Sequence, residues 1–159
     1  MLHLPEESLC RQIDHWNFRL KGKGVHLTVL KRGRNGTLLY VFRPQRLTAD
    51  LARPCVAAFL RRYGYCDLTA QGAVERLRQR LGEGEEFPHE IGLFLGYPLE
   101  DVEGFMENRG KNCKCTGCWK VYGDEQAARL QFSRYEKCRT VYLRLFHAGR
   151  SVEELTVAV

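Results

Sequence analysis

Asn35-Gly36 stands between two apolar, β-branched runs, Val25-His26-Leu27-Thr28-Val29-Leu30 and Thr37-Leu38-Leu39-Tyr40-Val41-Phe42. Asn-Gly is the strongest short-range hairpin signal, because both central positions of the favoured two-residue turn need a positive φ. The chain must therefore hold an antiparallel ribbon. An isolated two-stranded ribbon is marginal in water, so something has to cover it. Both runs are nearly all apolar, and the hairpin is expected to be largely covered rather than half wet.

The covering elements read as helices. Leu9, Ile13, Trp16 and Leu20 recur at spacings of four, three and four, the stripe of an amphipathic helix over Pro5 to Leu20. Gly22 and Gly24 follow it. Pro44 ends the second strand. Pro54 to Tyr63 and Thr69 to Leu81 carry apolar stripes, the latter through Ala73, Val74, Leu77 and Leu81. Pro88 and Pro98 each open a further helix at the first-turn position that tolerates proline. Trp119 to Tyr122 alternates as a third short strand. The last helix has an inner stripe of Ala128, Phe132, Tyr135, Cys138, Tyr142 and Leu145, with Asp124 and Glu125 at its positive end. Leu155 to Val159 suits a fourth strand. The expected architecture is α+β: a small, mostly antiparallel sheet of three or four strands covered by about six helices. A length of 159 residues corresponds to a single domain, 1–159.

Composition narrows the function classes. The longest uncharged, mostly apolar stretch is about nine residues, far below the roughly 20 that a membrane helix needs, so no membrane partner is expected. The first residues, with Glu6 and Glu7, do not read as a signal peptide. Seven cysteines, an odd number without a secretory signal, point to free thiols in a reducing cytoplasm.

Cys113-Lys114-Cys115-Thr116-Gly117-Cys118 places three thiols in six residues, and Cys138 follows 20 positions later. Structural zinc takes four thiolates, or three and an imidazole, and a Cys-x-x-Cys turn aims two sulfurs at one point. Cys115 and Cys118 have that spacing, with Cys113 as a third ligand and Cys138 or His89 as a fourth. An iron–sulfur cluster asks for similar residues. Against this, only one Cys-x-x-Cys knuckle is present, and Cys138 lies on an apolar stripe where cysteine serves as a small core residue. His89-Glu90 offers a general base or a metal ligand, but Leu93 occupies the place of the second histidine of a His-Glu-x-x-His motif. The alternative for this pair is helix-end geometry. No phosphate-binding loop and no Gly-x-Ser-x-Gly elbow occurs. The net charge of +6 is modest. Its best patch is Lys31, Arg32 and Arg34 at the hairpin tip, suited to nucleic acid or to an acidic protein.

Phe87-Pro88-His89-Glu90-Ile91-Gly92-Leu93-Phe94-Leu95-Gly96-Tyr97-Pro98, Cys118-Trp119-Lys120-Val121-Tyr122-Gly123-Asp124 and the closing Leu155-Thr156-Val157-Ala158 resemble a bacterial family of unknown function from anaerobic Gram-positive bacteria. The similarity runs from about Leu20 to Val159. The resemblance implies an iron or redox setting, because such genes lie near iron-uptake and flavodoxin genes, and it makes a flavodoxin a possible acidic partner. Family members carry an extra N-terminal segment with a His-Cys pair, and often aromatic residues where this chain has Cys113, Cys115 or Cys118. If those thiols are dispensable in relatives, a metal site built on them is not the family's common function. Two readings result. One is a non-enzymatic accessory protein in iron or redox physiology, holding zinc or an iron–sulfur cluster. The other is a basic adaptor for nucleic acid or an acidic protein, with structural cysteines only.

Overall fold

The hairpin forms, and Gly36 is paired opposite Gly33 in the ladder instead of serving as a central turn residue. In the computed structural model, which describes residues 6–33, 36–83 and 87–158, β1 (His26–Gly33) pairs antiparallel with β2 (Gly36–Phe42). The register runs Leu27 to Val41 and Val29 to Leu39, then shifts at Leu30, an extra residue that makes a bulge. The chain divides into two units, Met1–Pro88 with Thr156–Val159, and His89–Leu155.

In the first unit, α1 (Glu6–Leu20) is fixed to the hairpin by Asn17, whose side chain both donates to the Leu27 carbonyl (2.9 Å) and accepts the Leu27 N–H (2.7 Å). Pro44 does end β2, but as the first residue of a helix that the sequence reading did not anticipate, α2 (Pro44–Leu51). Proline's fixed φ and missing N–H suit that position. α3 (Pro54–Arg61) starts the same way, and α4 (Ala70–Glu83) follows. Leu47, Leu51, Phe59, Leu60, Tyr65, Ala73, Leu77 and Leu81 are buried. α4 is stitched to β1 by polar contacts: Arg78 Nε donates to the Val29 carbonyl (2.8 Å), and Lys31 Nζ to the Leu81 carbonyl (2.6 Å). The ribbon is half wet, contrary to expectation. Leu30 and Tyr40 are buried while Leu39 and Val41 are exposed, because alternate side chains of a strand face opposite ways, and Leu38, nearer the tip, is exposed as well.

In the second unit, α5 (Ile91–Phe94) is a single turn, and Gly96, at φ 78°, makes the corner to α6 (Leu99–Glu107). Trp119 to Tyr122 does not join the first ribbon. Its strand β4 (Lys120–Val121) pairs with β3 (Cys115–Thr116), immediately before it in the chain. The described residues therefore hold two two-stranded antiparallel sheets instead of one sheet of three or four strands. α7 (Glu125–His147) is N-capped by Asp124, whose carboxylate accepts the Ala127 N–H at 3.0 Å. α8 (Val152–Leu155) begins with a capping box: the Ser151 hydroxyl accepts the Glu154 N–H (3.2 Å), and the Glu154 carboxylate accepts the Ser151 N–H (2.8 Å). Leu155 thus ends a helix, and residues 156–158 form no strand; Val159 lies outside the described residues. The class is α+β with eight α-helices among the described residues.

Candidate functional site

The centre of the second unit is a carboxylate. Asp101 lies in the first turn of α6 and is only 3% exposed. One oxygen accepts the Trp119 indole N–H at 2.6 Å. The other accepts the backbone N–H groups of Tyr122 (2.7 Å) and Gly123 (2.8 Å). Hydrogen bonds to a charged acceptor are short and about twice as strong as neutral ones. Asp101 thereby fixes the β3–β4 hairpin and the entry to α7 on the start of α6. This contact joins the Tyr97-Pro98 end of one motif to the Trp119–Gly123 core of the other.

Aromatic rings complete the arrangement. Tyr97 stacks on Trp119 with centroids 4.9 Å apart and planes at 26°. Phe132 of α7 meets Trp119 edge-on at 4.6 Å, and Tyr135 does so at 6.4 Å. Such pairs contribute roughly 0.5–1.5 kcal/mol beyond area burial. Glycines allow the close approach. A Cβ on Gly117 would lie 2.3 Å from the Phe132 ring, and one on Gly104 would lie 2.4 Å from the Tyr122 Cβ. Burial pushes the Tyr97 phenol above its ordinary pKa, with Cys118 and Tyr135 adding to the shift.

A cleft of about 280 Å³ opens beside this centre, lined by Leu95, Tyr97, Val102, Phe105 and Trp119, with His89 and Lys120 among its polar residues. The His89 ring lies 4.9 Å from that of Phe105, and the Lys120 ammonium lies 6.0 Å over the same ring while donating to the Gly110 carbonyl at 2.6 Å. A wider hollow of about 670 Å³ in the first unit has Lys21, His26, Arg43 and Arg46 on its walls. Arg43 is occupied there, donating to the main-chain carbonyls of Lys23 and Val157.

The residues singled out from sequence are placed as follows. Cys113 and Cys115 are half-buried, Cys118 and Cys138 are exposed, and all four are free thiols. Cys113 Sγ lies 3.5 Å from the Thr116 hydroxyl, and Cys115 packs against the Trp119–Val121–Ala128 cluster. Among the described residues no three His, Cys, Asp or Glu side chains form a group able to hold a metal ion. His89 and Glu90 part company: the histidine is exposed at the cleft and the glutamate is fully buried. At the hairpin tip, Lys31 is held by Leu81 and Arg32 donates to Cys10 Sγ at 3.4 Å, while Arg34 lies outside the described residues.

Sequence reading missed Asp101, Lys120 and the open half of α7. α7 buries only Ala128. Phe132 and Leu145 of the expected stripe are half-buried, whereas Tyr135, Cys138 and Tyr142 are exposed, as is Phe146 beside them, by 52%. Arg139 lies on the same stripe, seven residues after Phe132 and seven before Phe146. Asp101 had a legible signal, an acid in the first turn behind a helix-opening proline.

Fold and site define a two-unit α+β protein whose second unit is organised by a buried carboxylate–indole pair. The chain belongs to the family described as "Protein of unknown function (DUF3793)", whose model it matches over residues 1–156. No curated protein and no solved structure matches it. Among the described residues no helix is long and apolar enough to cross a membrane.

Proposed function

We propose that this protein is a non-enzymatic accessory protein, an adaptor that docks an acidic protein partner along α7, within the iron or redox setting the resemblance implies. The observation that carries this reading is Arg139 on the open apolar stripe of α7. A helix of 23 residues is about 34 Å long, and its first turns cover Trp119. Beyond them Tyr142 and Phe146 continue the stripe into solvent. Residues 133–150 carry five basic side chains against one acidic. Of these, Arg134, Lys137, Arg139 and Arg144 form no ion pair among the described residues. A partner that covers the stripe with apolar side chains alone buries the Arg139 guanidinium unpaired, which costs several kcal/mol. A partner bringing a carboxylate opposite Arg139 gains both apolar burial and a charged pair. Asp101 supports a non-enzymatic role, since both its oxygens are taken by N–H groups of its own fold.

The test uses a purified flavodoxin as the acidic partner, with a DNA duplex and the protein's own sedimentation as controls. Flavodoxin is expected to bind, to weaken as salt rises, and to lose at least about tenfold in affinity with Arg139→Glu, a loss of about 1.4 kcal/mol. Binding of flavodoxin unchanged by Arg139→Glu overturns the reading. Self-association lost in Tyr142→Ser replaces it with an interface between copies, and duplex binding alone replaces it with a nucleic-acid protein.

A further inference from the structure

The cleft of the second unit has a chemistry independent of α7. We propose that it binds a small, flat carboxylic acid: an apolar body enters between Leu95, Phe105 and Tyr97, and the carboxylate is taken by the Lys120 ammonium. The walls are apolar and aromatic, which is how small-ligand sites obtain most of their contact surface. About 280 Å³ holds a one- or two-ring molecule and nothing much larger. What remains is which polar group such a molecule presents.

The available partners decide this. Asp101 is the acidic residue on the cleft lining, and its oxygens already accept three N–H donors. It is therefore a poor acceptor for an amine or a hydroxyl on the ligand. Lys120 is different. An ammonium has three donor hydrogens, and Lys120 gives one to the Gly110 carbonyl while resting over the Phe105 ring. It forms no ion pair among the described residues, so donors remain for an anion. The contact with Gly110 and the Phe105 ring beneath the ammonium hold the flexible stem in place, which lowers the entropy lost when a ligand binds. The His89 ring, 4.9 Å from that of Phe105, adds a second nitrogen-bearing group on the cleft. The negative charge of Asp101 beneath the cleft keeps affinity modest; for a ligand of about a dozen heavy atoms, Kd is expected at roughly 0.1 mM.

The experiment titrates indole-3-acetate and its neutral analogue indole-3-ethanol into the ¹⁵N-labelled full chain, following the Trp119 indole N–H and the backbone amides of Phe105 and Lys120. Indole-3-acetate should shift these signals and bind at least tenfold more tightly than indole-3-ethanol. Lys120→Met, which keeps the stem on Phe105, should abolish that difference while leaving signals remote from the cleft in place. Leu95→Trp, an exposed position on the lining, should block both ligands. Equal affinity for the two probes, or acetate binding unchanged in Lys120→Met, shows a cleft that does not select acids and overturns the proposal. No shift at 10 mM of either probe overturns it as well.

Discussion

Replacing Asp101 by Asn keeps the size of the side chain and changes only what it accepts. With the amide oxygen turned to the Tyr122 and Gly123 N–H groups, the new NH₂ faces the Trp119 indole N–H, donor against donor. One charge-assisted hydrogen bond is lost and leaves a buried donor unsatisfied, roughly 1.5–3 kcal/mol. The other two bonds fall from charged to neutral strength, about 1 kcal/mol each. The sum, about 3–5 kcal/mol, is a large share of the roughly 5–15 kcal/mol that stabilises a typical domain. At an m-value of about 1–3 kcal/mol/M the urea midpoint should fall by about 1–5 M. The chain has two tryptophans, so Trp16→Phe makes Trp119 the sole reporter, and its emission should move to longer wavelength as its stacks loosen. A double-mutant cycle with Trp119→Phe, followed by circular dichroism, isolates the indole bond and should give a coupling of about 1.5–3 kcal/mol. A loss below about 0.5 kcal/mol for Asp101→Asn, or a coupling near zero, would refute the view that this carboxylate organises the second unit.

Four further outcomes concern other parts of the structure. Gly104→Ala should destabilise by about 1–3 kcal/mol, because the new methyl would lie 2.4 Å from the Tyr122 Cβ on a backbone that cannot recede cheaply. Gly82→Ala, with nothing within 4 Å at the open end of α4, should instead stabilise by about 0.5–1 kcal/mol; calorimetry of both variants reads the contrast. In the α8 capping box, the N–H and hydroxyl of Ser151, foremost among the causes, hold the Glu154 carboxyl below its ordinary pKa. A lowered folded-state value means the box supports α8 fully above the ordinary carboxylate range and loses that support as pH falls through the lowered value. The Ser151 amide proton should therefore titrate with a midpoint below 4.5; a midpoint at or above it contradicts the contact. Protein purified anaerobically should carry well under one zinc or iron per chain by elemental analysis. A full equivalent, lost on Cys115→Ser, would show that the thiols converge after all and would restore the metal-holding reading.

Local chemistry was legible and long-range pairing was not. The hairpin, the helices led by Pro54 and Pro98 and the acids at the start of α7 each depend on residues within a few positions and stand as read, whereas Pro88 opens no helix, α5 starting only at Ile91. Strand assignment failed where the partner had to be chosen. Trp119 to Tyr122 has the pattern of a strand, but alternation says nothing about what pairs with it, and the nearest chain, Cys115–Thr116, is the partner in the structure. α2 was hidden because Pro44 is an equally good end for a strand and beginning for a helix. The candidate site shows the same limit. Cysteine spacing allowed three sulfurs to converge with Cys138 or His89 as a fourth ligand, whereas Cys115 packs against the Trp119 cluster and Cys118 and Cys138 are exposed.

The stripe of α7 separates two meanings of an apolar pattern. Ala128, Phe132, Tyr135, Tyr142 and Phe146 repeat at three- and four-residue steps and multiples of them, and such a stripe reads as the inner face of a helix. The structure divides it. Ala128, Phe132 and the edge of Tyr135 meet Trp119, and Tyr142 and Phe146 beyond them are exposed. Sequence carried the distinction in one residue, Arg139. A guanidinium on a stripe destined for the protein's own core would need a carboxylate from the same chain, and none pairs with it among the described residues. On the docking face proposed above, the same charge would select which protein covers it, because the wrong partner leaves it buried and alone. An apolar period therefore shows where burial occurs, and a charge interrupting it shows whose surface completes the burial.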